Sequence, residues 1–493
     1  MSPAAPTDLR PDPILDAVEG YRGSFVDLHD NREVDARQFH TARTALARRL
    51  IDAGLEAGDR VVVAVTNGPQ FVATLAALLR CGGSPVLAHA LTPAAELRRT
   101  ALRFGARFVV TDGPPADELG AAIGSAAEVA PAEWLRVALA ACPTDTAGFV
   151  SGYPALPGVP LHQTSGTTGV PKLAVRPGAA AVAEARHYID TAGVGSDDTI
   201  LVTSPMSHAY AYGMGVMVPL LSGARIVSLR EFKPATVLDA FASLRVTIFP
   251  AAPALLEVLM FGAGDRLKQS PPTVFVAGAP LTERVARTYR ERSGVVVRSL
   301  YGTTETGGIS IVAGEPDATT AGCVGPPMRG VEAQARPSGH AEEQQQHLTT
   351  LRVRSESMMT GYLTPEGIDR SCLDAGWFDT GDLASIDARG SIHLRGRMTE
   401  VINVGGLKVV PSEVEQVIAT LPGVREVKVY AGQSRSGAQF VKAAVVGEPS
   451  VTDTTVRDHC KEQLVYFKRP SVVLLLDALP KTPSGKVLVR ELP

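Results

Sequence analysis

Near the start of the chain, apolar and polar positions switch between two periods. From Gln38 to Leu55 apolar residues recur at helical spacing and stop against Gly54 and Gly58. Arg60 to Val65 then forms a short β-branched run, so the pattern predicts a helix followed by a buried strand. The same alternation predicts a helix over Phe71 to Arg80, a strand at Pro85 to Leu87, a helix over Pro93 to Phe104 and a strand at Arg107 to Thr111. It resumes after Leu161 with strands at Thr199 to Thr203 and Ala224 to Ser228 and a helix at Pro234 to Ser243. Further strands follow at Thr247 to Phe249, Thr273 to Ala277 and Val295 to Arg298. Strands that alternate with helices imply parallel or mixed sheets covered on both faces, with ligand loops at the carboxyl ends of the strands.

The most apolar stretch, Ala209 to Leu221, is too short for a membrane span and is interrupted by Gly213, Gly215 and Pro219, so it reads as core. Pro337 to Gln346, PSGHAEEQQQ, is polar and reads as a solvated loop. Past Arg397 the chain turns β-rich, with one helix near Pro411 to Thr420. The expected fold class is therefore α/β, without internal repeats. A large multi-subdomain N-terminal domain over residues 1–397 has mixed sheets flanked by helices, and a small α+β C-terminal domain covers 398–493.

Composition narrows the function classes. The 493 residues, 45% hydrophobic and 20% charged, form a globular chain, since 47 glycines and 36 prolines fall short of the roughly 25–30% that marks disordered or fibrous ones. A net charge of −3 leaves no footprint for nucleic acid or an anionic membrane, so an anionic ligand must be held locally. Five scattered cysteines lack a metal or disulfide spacing, and MSPAAPTDLRPDP lacks the pattern of a secretory signal. Cytoplasmic placement is expected.

Four segments carry candidate chemistry. Gln163 to Lys172, QTSGTTGVPK, gathers Thr164, Ser165, Gly166, Thr167, Thr168 and Gly169 ahead of Lys172. Free backbone N–H groups and hydroxyls make a nest for phosphate oxygens, and the lysine adds charge. The order of a Walker loop is absent. In Ser299 to Gly308, SLYGTTETGG, a carboxylate stands beside two hydroxyls in a glycine-flexed loop, which can hold Mg²⁺ and phosphate together. Glu305 would supply the metal oxygen, Thr304 the phosphate contact and Tyr301 a face for a purine, with Gly302 and Thr303 between them. In GWFDTGD, Asp382 can accept both hydroxyls of a ribose, and Arg397 downstream can reach the same ribose. Finally, LPKTPSGKVLVREL presents Lys486 near the chain end. Taken singly, these are a polar turn, a surface charge and a solvated terminal lysine; their company is what counts.

In this order the four segments resemble those of the adenylate-forming superfamily of acyl-CoA synthetases, nonribosomal-peptide adenylation domains and beetle luciferases, over essentially the whole chain. The resemblance implies an AMP-forming ligase that uses ATP and Mg²⁺, with CoA as co-substrate, and a C-terminal domain that is mobile between two catalytic poses. Lys486 matches the catalytic lysine, Asp382 the ribose aspartate, and Glu305 and Thr304 the metal and phosphate contacts. Adenine would lie against Tyr301 and Gly278, Ala279 and Pro280, with the triphosphate over Thr164 to Thr168. Three departures stand out: Thr399 at the hinge where Asp or Lys is usual, Leu173 where Gly follows the phosphate loop's lysine, and a Gln-rich stretch in place of a Gly-Glu pattern before Met358.

Members that activate α-amino acids present a carboxylate after the strand that here ends near Pro205, whereas this chain reads PMSHAYAYGMG. His208, Tyr210, Tyr212 and Gly213, with Gly302 and Gly307, resemble the pocket of stand-alone aryl-acid CoA ligases. They imply a small aromatic or unsaturated carboxylic acid. The alternative is that the tyrosines are core residues and only His208 touches the site. A carrier protein or an amine as acceptor, or a small oxyanion such as nitrite in place of the acid, are further alternatives. No carrier domain is expected to be fused, and no nucleic acid or membrane partner is expected.

Overall fold

The computed structural model describes residues 13–164, 171–278, 281, 283–312, 322–337, 349–397, 402–409, 411–434, 437–480, 487 and 489–493. The phosphate-loop residues Ser165 to Gly169, Ala279, Pro280, Thr399, Lys486 and nearly all of the polar stretch after Pro337 therefore lie outside the described residues.

Local rules place the first helices. Ala36–Asp52 starts at a reciprocal cap in which Gln38 N donates to Asp35 and Asp35 N to the Gln38 side chain. Pro69–Arg80 begins with proline, whose missing N–H costs nothing at a helix start, and is buried from Pro69 to Leu79 because FVATLAALL is apolar all round. It runs between two large sheets. Among the described residues, one sheet has nine strands, with Leu161–Thr164, Ser84–Leu87, Arg60–Ala64 and Phe108–Thr111 parallel at its centre. The other has eight, with Arg298–Thr303, Thr273–Val276, Ile248–Ala251, Thr199–Val202, Arg225–Ser228 and Phe25–Asp27 parallel. A six-stranded antiparallel sheet follows, including Thr349–Ser355, Trp377–Ile386 and Ile392–Arg397.

One reading changes. Ser299 to Gly308 is no open loop: Arg298–Thr303 and Gly307–Ile311 pair antiparallel, leaving Thr304, Glu305 and Thr306 at a hairpin tip. Leu173, the residue departing from the usual glycine, is a fully buried strand position paired with Gln163 and Leu363. Ala209 to Leu221 is core, as its apolarity implies, but with a π-helical turn at Gly213–Met217. There Gly215 is required because a Cβ would stand 2.9 Å from Val202. Among the described residues no helix is long and apolar enough to cross a membrane.

The tail has its own cores, built from Ile402 onward around Val-rich strands Val424–Gln433, Gln439–Gly447 and Val472–Leu475. It docks on the helix Ala94–Arg103. Glu96 accepts from the buried Val465 N (3.0 Å) and from Lys468 Nζ (2.5 Å), which also meets Glu413 at 2.9 Å. Arg99 donates to the Gln463 carbonyl at 2.6 Å and to its side chain at 2.9 Å. Burial alone would lower the Lys468 pKa, but Glu413 and Glu96 outweigh it and hold the ammonium above the usual lysine range. Glu96→Ala strands the Val465 amide without its acceptor, at about 1–3 kcal/mol. Hydrogen exchange over 460–468 is expected to quicken at least about fivefold; unchanged exchange would show that Glu96 does not hold the tail.

Candidate active site

The large unit and the tail enclose a cavity of about 350 Å³. One wall is the hairpin of Leu161–Thr164 and Lys172–Val175, in which Thr164 and Lys172 are paired where the chain leaves for the phosphate loop. Lys172 Nζ lies 4.6 Å above the ring centre of Tyr362, and Tyr362 Oη donates to Glu305 at 2.9 Å. Ammonium, phenol and carboxylate thus form one chain. Burial and then the Glu305 carboxylate push the Tyr362 phenol above its usual range, so it stays a donor.

Glu305 and Thr304 reach the cavity because the hairpin tip is tied from behind. Thr303 and Thr306 hydroxyls meet at 3.1 Å, Ser357 Oγ donates to the Thr306 carbonyl at 2.8 Å, and Met359 N donates to the Glu305 carbonyl at 2.7 Å. Thr303 also lines the cavity. Tyr301 is buried in the core cluster, and its hydroxyl donates to Asp382 at 2.5 Å. The residues read separately as purine and ribose contacts are therefore one hydrogen-bonded unit, next to the lining residues Asp379, Thr380 and Gly381. Asp382 pairs in register with Arg397, whose side chain is outside the described atoms. Gly278, at φ +86°, seats the tail: a Cβ there would stand 2.9 Å from Gly406 Cα, and Asn403 Nδ2 donates to the Gly278 carbonyl.

The expected acid pocket divides. His208, starting the helix Ala209–Tyr212, lines the cavity. Tyr210 and Tyr212 are not among its lining residues. Tyr210 Oη donates to the Phe275 carbonyl at 2.9 Å, and Tyr212 is fully buried, edge-on to His162 at 4.9 Å. Tyr212 thus packs in the core, while Tyr210 is half-buried and anchored by its hydroxyl to the strand Thr273–Val276. Gly213 and Gly307 are buried and Gly302 is exposed, and each lies close against its neighbours. A Cβ would lie 2.7 Å from Glu184 at Gly213 and at Gly307, and 2.3 Å from the Gly307 carbonyl at Gly302. The cavity is also lined by residues the motifs do not include: His89, Glu96, His162, Leu407, Phe467 and Lys468. Burial and then His208 push the His89 imidazole down to about 4, so it is neutral at pH 7. Only His162, adjoining the phosphate segment, carried a local cue.

The donor set fits a nucleotide with its metal. A lone carboxylate beside a hydroxyl and an ammonium suits Mg²⁺ that arrives with phosphate oxygens and keeps its waters. Among the described residues no group of three or more His, Cys, Asp or Glu forms a metal cage of its own.

Residues 17–363 match the family described as AMP-binding enzyme, and 413–486 match the AMP-binding enzyme C-terminal domain. The chain is 32% identical over 333 residues to 3-[(3aS,4S,7aS)-7a-methyl-1,5-dioxo-octahydro-1H-inden-4-yl]propanoyl:CoA ligase of Rhodococcus jostii, covering 66% of this chain and 62% of that protein. It is 26% identical to 4-coumarate-CoA ligase 1 of Narcissus pseudonarcissus, over 96% of this chain and 90% of the relative. Its fold is similar to that of a double mutant of o-succinylbenzoate CoA synthetase from Bacillus subtilis, with TM-score 0.80, 22% identity and 98% of each chain covered.

Proposed function

The chain belongs to the AMP-binding enzymes, and from that premise we propose that it is an AMP-forming acid–thiol ligase of the acyl-CoA synthetase type. It activates a small aromatic or unsaturated carboxylic acid with ATP, releases pyrophosphate, and passes the acyl group from AMP to the thiol of CoA. The observation that carries this reading is one cavity that brings Lys172, Thr304 and Glu305 together with His208 and with Leu407 of the tail.

Lys172 and the Thr164 end of the phosphate loop bind the triphosphate. Asp382, oriented by the Tyr301 hydroxyl, accepts the ribose hydroxyls with Arg397 alongside. Glu305 and Thr304 would hold Mg²⁺, which when bound offsets phosphate charge. Lys486 sets the attacking carboxylate in line with the α-phosphate and neutralises charge that builds between two anions. The units divide at residue 397, and the tail changes pose between half-reactions. Leu407 lines the cavity, while Leu479 and Val487, on either side of Lys486, pack with Tyr430, Ala444 and Val446. That arrangement supports reading the pose as the one for thiol transfer. Five free cysteines support placement in the cytoplasm.

Pyrophosphate release from Mg·ATP, measured against aryl, alkenyl and alkyl acids and nitrite, with and without CoA or an amine, tests the proposal. Release that requires one aryl or alkenyl acid and turns over only with CoA is expected. Release driven by nitrite, or turnover with an amine and no CoA, would overturn the thioester step.

A further inference from the structure

His162 lines the cavity, is 2% exposed, and has no hydrogen-bond partner at either ring nitrogen among the described residues. No described residue offers either ring nitrogen a hydrogen bond. Its neighbours in register are Leu87 and Ala174, and the Tyr212 ring stands edge-on at 4.9 Å. Each buried, unpaired polar atom costs about 1–3 kcal/mol. A ligand in the cavity can supply the missing partner.

The ring's state narrows the ligand. Burial, then Arg176 and His208, hold the imidazole pKa well below the usual value, so at pH 7 it is neutral, with one donor and one acceptor. Such a ring matches a hydroxyl or carbonyl oxygen better than a second carboxylate. Its position separates this oxygen from the reacting carboxylate. His162 and Thr164 point to the same face of one strand, about 7 Å apart, and Thr164 opens the phosphate loop. The carboxylate must sit toward Thr164 and Lys172 to reach the α-phosphate, leaving His162 to the body of the acid.

We infer that His162 is a specificity-determining residue that hydrogen-bonds a neutral oxygen, hydroxyl or carbonyl, on the body of the acid, and that the substrate class is hydroxy- or oxo-substituted acids. This rests on the proposed acid activation and deepens it.

The test uses size-matched acid pairs that differ by one hydroxyl or keto oxygen. Pyrophosphate release at low acid concentration and the acid-induced rise in melting temperature are both read. In the wild type, at least one oxygenated acid is expected to exceed its partner roughly 10- to 100-fold in kcat/KM. His162→Leu is expected to abolish that preference while retaining turnover of the hydrocarbon partner, and His162→Gln, which keeps a donor and an acceptor, to restore part of it. No preference in the wild type, or a preference that survives in His162→Leu, overturns the inference while acid activation stands. Binding of oxygenated acids that depends on His162 but yields no pyrophosphate supports the inference and overturns the activation. Should the leucine variant not fold, His162→Gln and the ring ¹⁵N shifts of the wild type decide: one nitrogen should move with the oxygenated acid and neither with its partner.

Discussion

Lys486→Ala is expected to slow acid-dependent pyrophosphate release roughly 10²–10³-fold, while thiol transfer from a supplied acyl adenylate changes far less. The asymmetry follows from where charge develops. In the first half-reaction a carboxylate approaches a phosphate, both negative, and a cation at that point stabilises the transition state more than the ground state. In the second, a thiol attacks an acyl carbonyl and AMP leaves, so no second anion is forced onto phosphorus. The hairpin Ile402–Val409 faces the cavity through Leu407, and Leu479 and Val487 pack in the tail's second core. Rapid-quench measurement of each half-reaction decides the matter. Equal slowing of both steps, or release within a few-fold of wild type, would remove Lys486 from the proposed role.

The largest effect on stability is expected at Glu184. Its carboxylate and the Arg176 guanidinium meet at 2.7 Å with side chains 1% and 0% exposed. Glu184 Oε1 accepts from Gly308 N at 2.9 Å, and Arg176 Nη2 donates to the Ser357 carbonyl at 3.2 Å. The pair thereby joins the helix Gly178–Ala192 to the metal-loop hairpin and to the turn that supports Glu305. Glu184→Ala leaves a buried cation without its counter-charge and should destabilise the fold by about 3–5 kcal/mol. Equilibrium urea unfolding reads this directly. The double variant Arg176→Met with Glu184→Leu is expected to recover most of the loss, because no charge then remains buried. If the double variant were as unstable as Glu184→Ala, packing volume rather than charge pairing would be the cause.

The elements that local chemistry specifies were legible in the chain. Pro234–Ser243 has its predicted bounds, and the helix Ala36–Asp52 and strand Arg60–Ala64 fall within a few residues of theirs, since caps, prolines and periodicity act over one or two turns. The order of the four motifs was likewise enough to indicate the family, because each is a short stretch whose residue types carry its chemistry. The metal-loop hairpin was not legible as strands: Gly302, Gly307 and Gly308 read as loop residues, but a side chain at Gly302 would meet the Gly307 carbonyl of the paired strand, and one at Gly307 or Gly308 would meet Glu184 or Tyr188 of the helix Gly178–Ala192. Tyr210 and Tyr212 were ambiguous in sequence because an aromatic beside a glycine suits a pocket wall and a core equally. Only packing decided which way the helix turned them. The Glu96–Lys468 contact, 372 positions apart in the chain, and the burial of the His162 ring without a hydrogen-bond partner among the described residues depend on which surfaces meet, a long-range outcome that no local pattern encodes. Residue types and local periodicity carry the motifs and most helices and strands, whereas which of those side chains share a cavity follows from burial and distance that arise only when the sheets and the tail close around it.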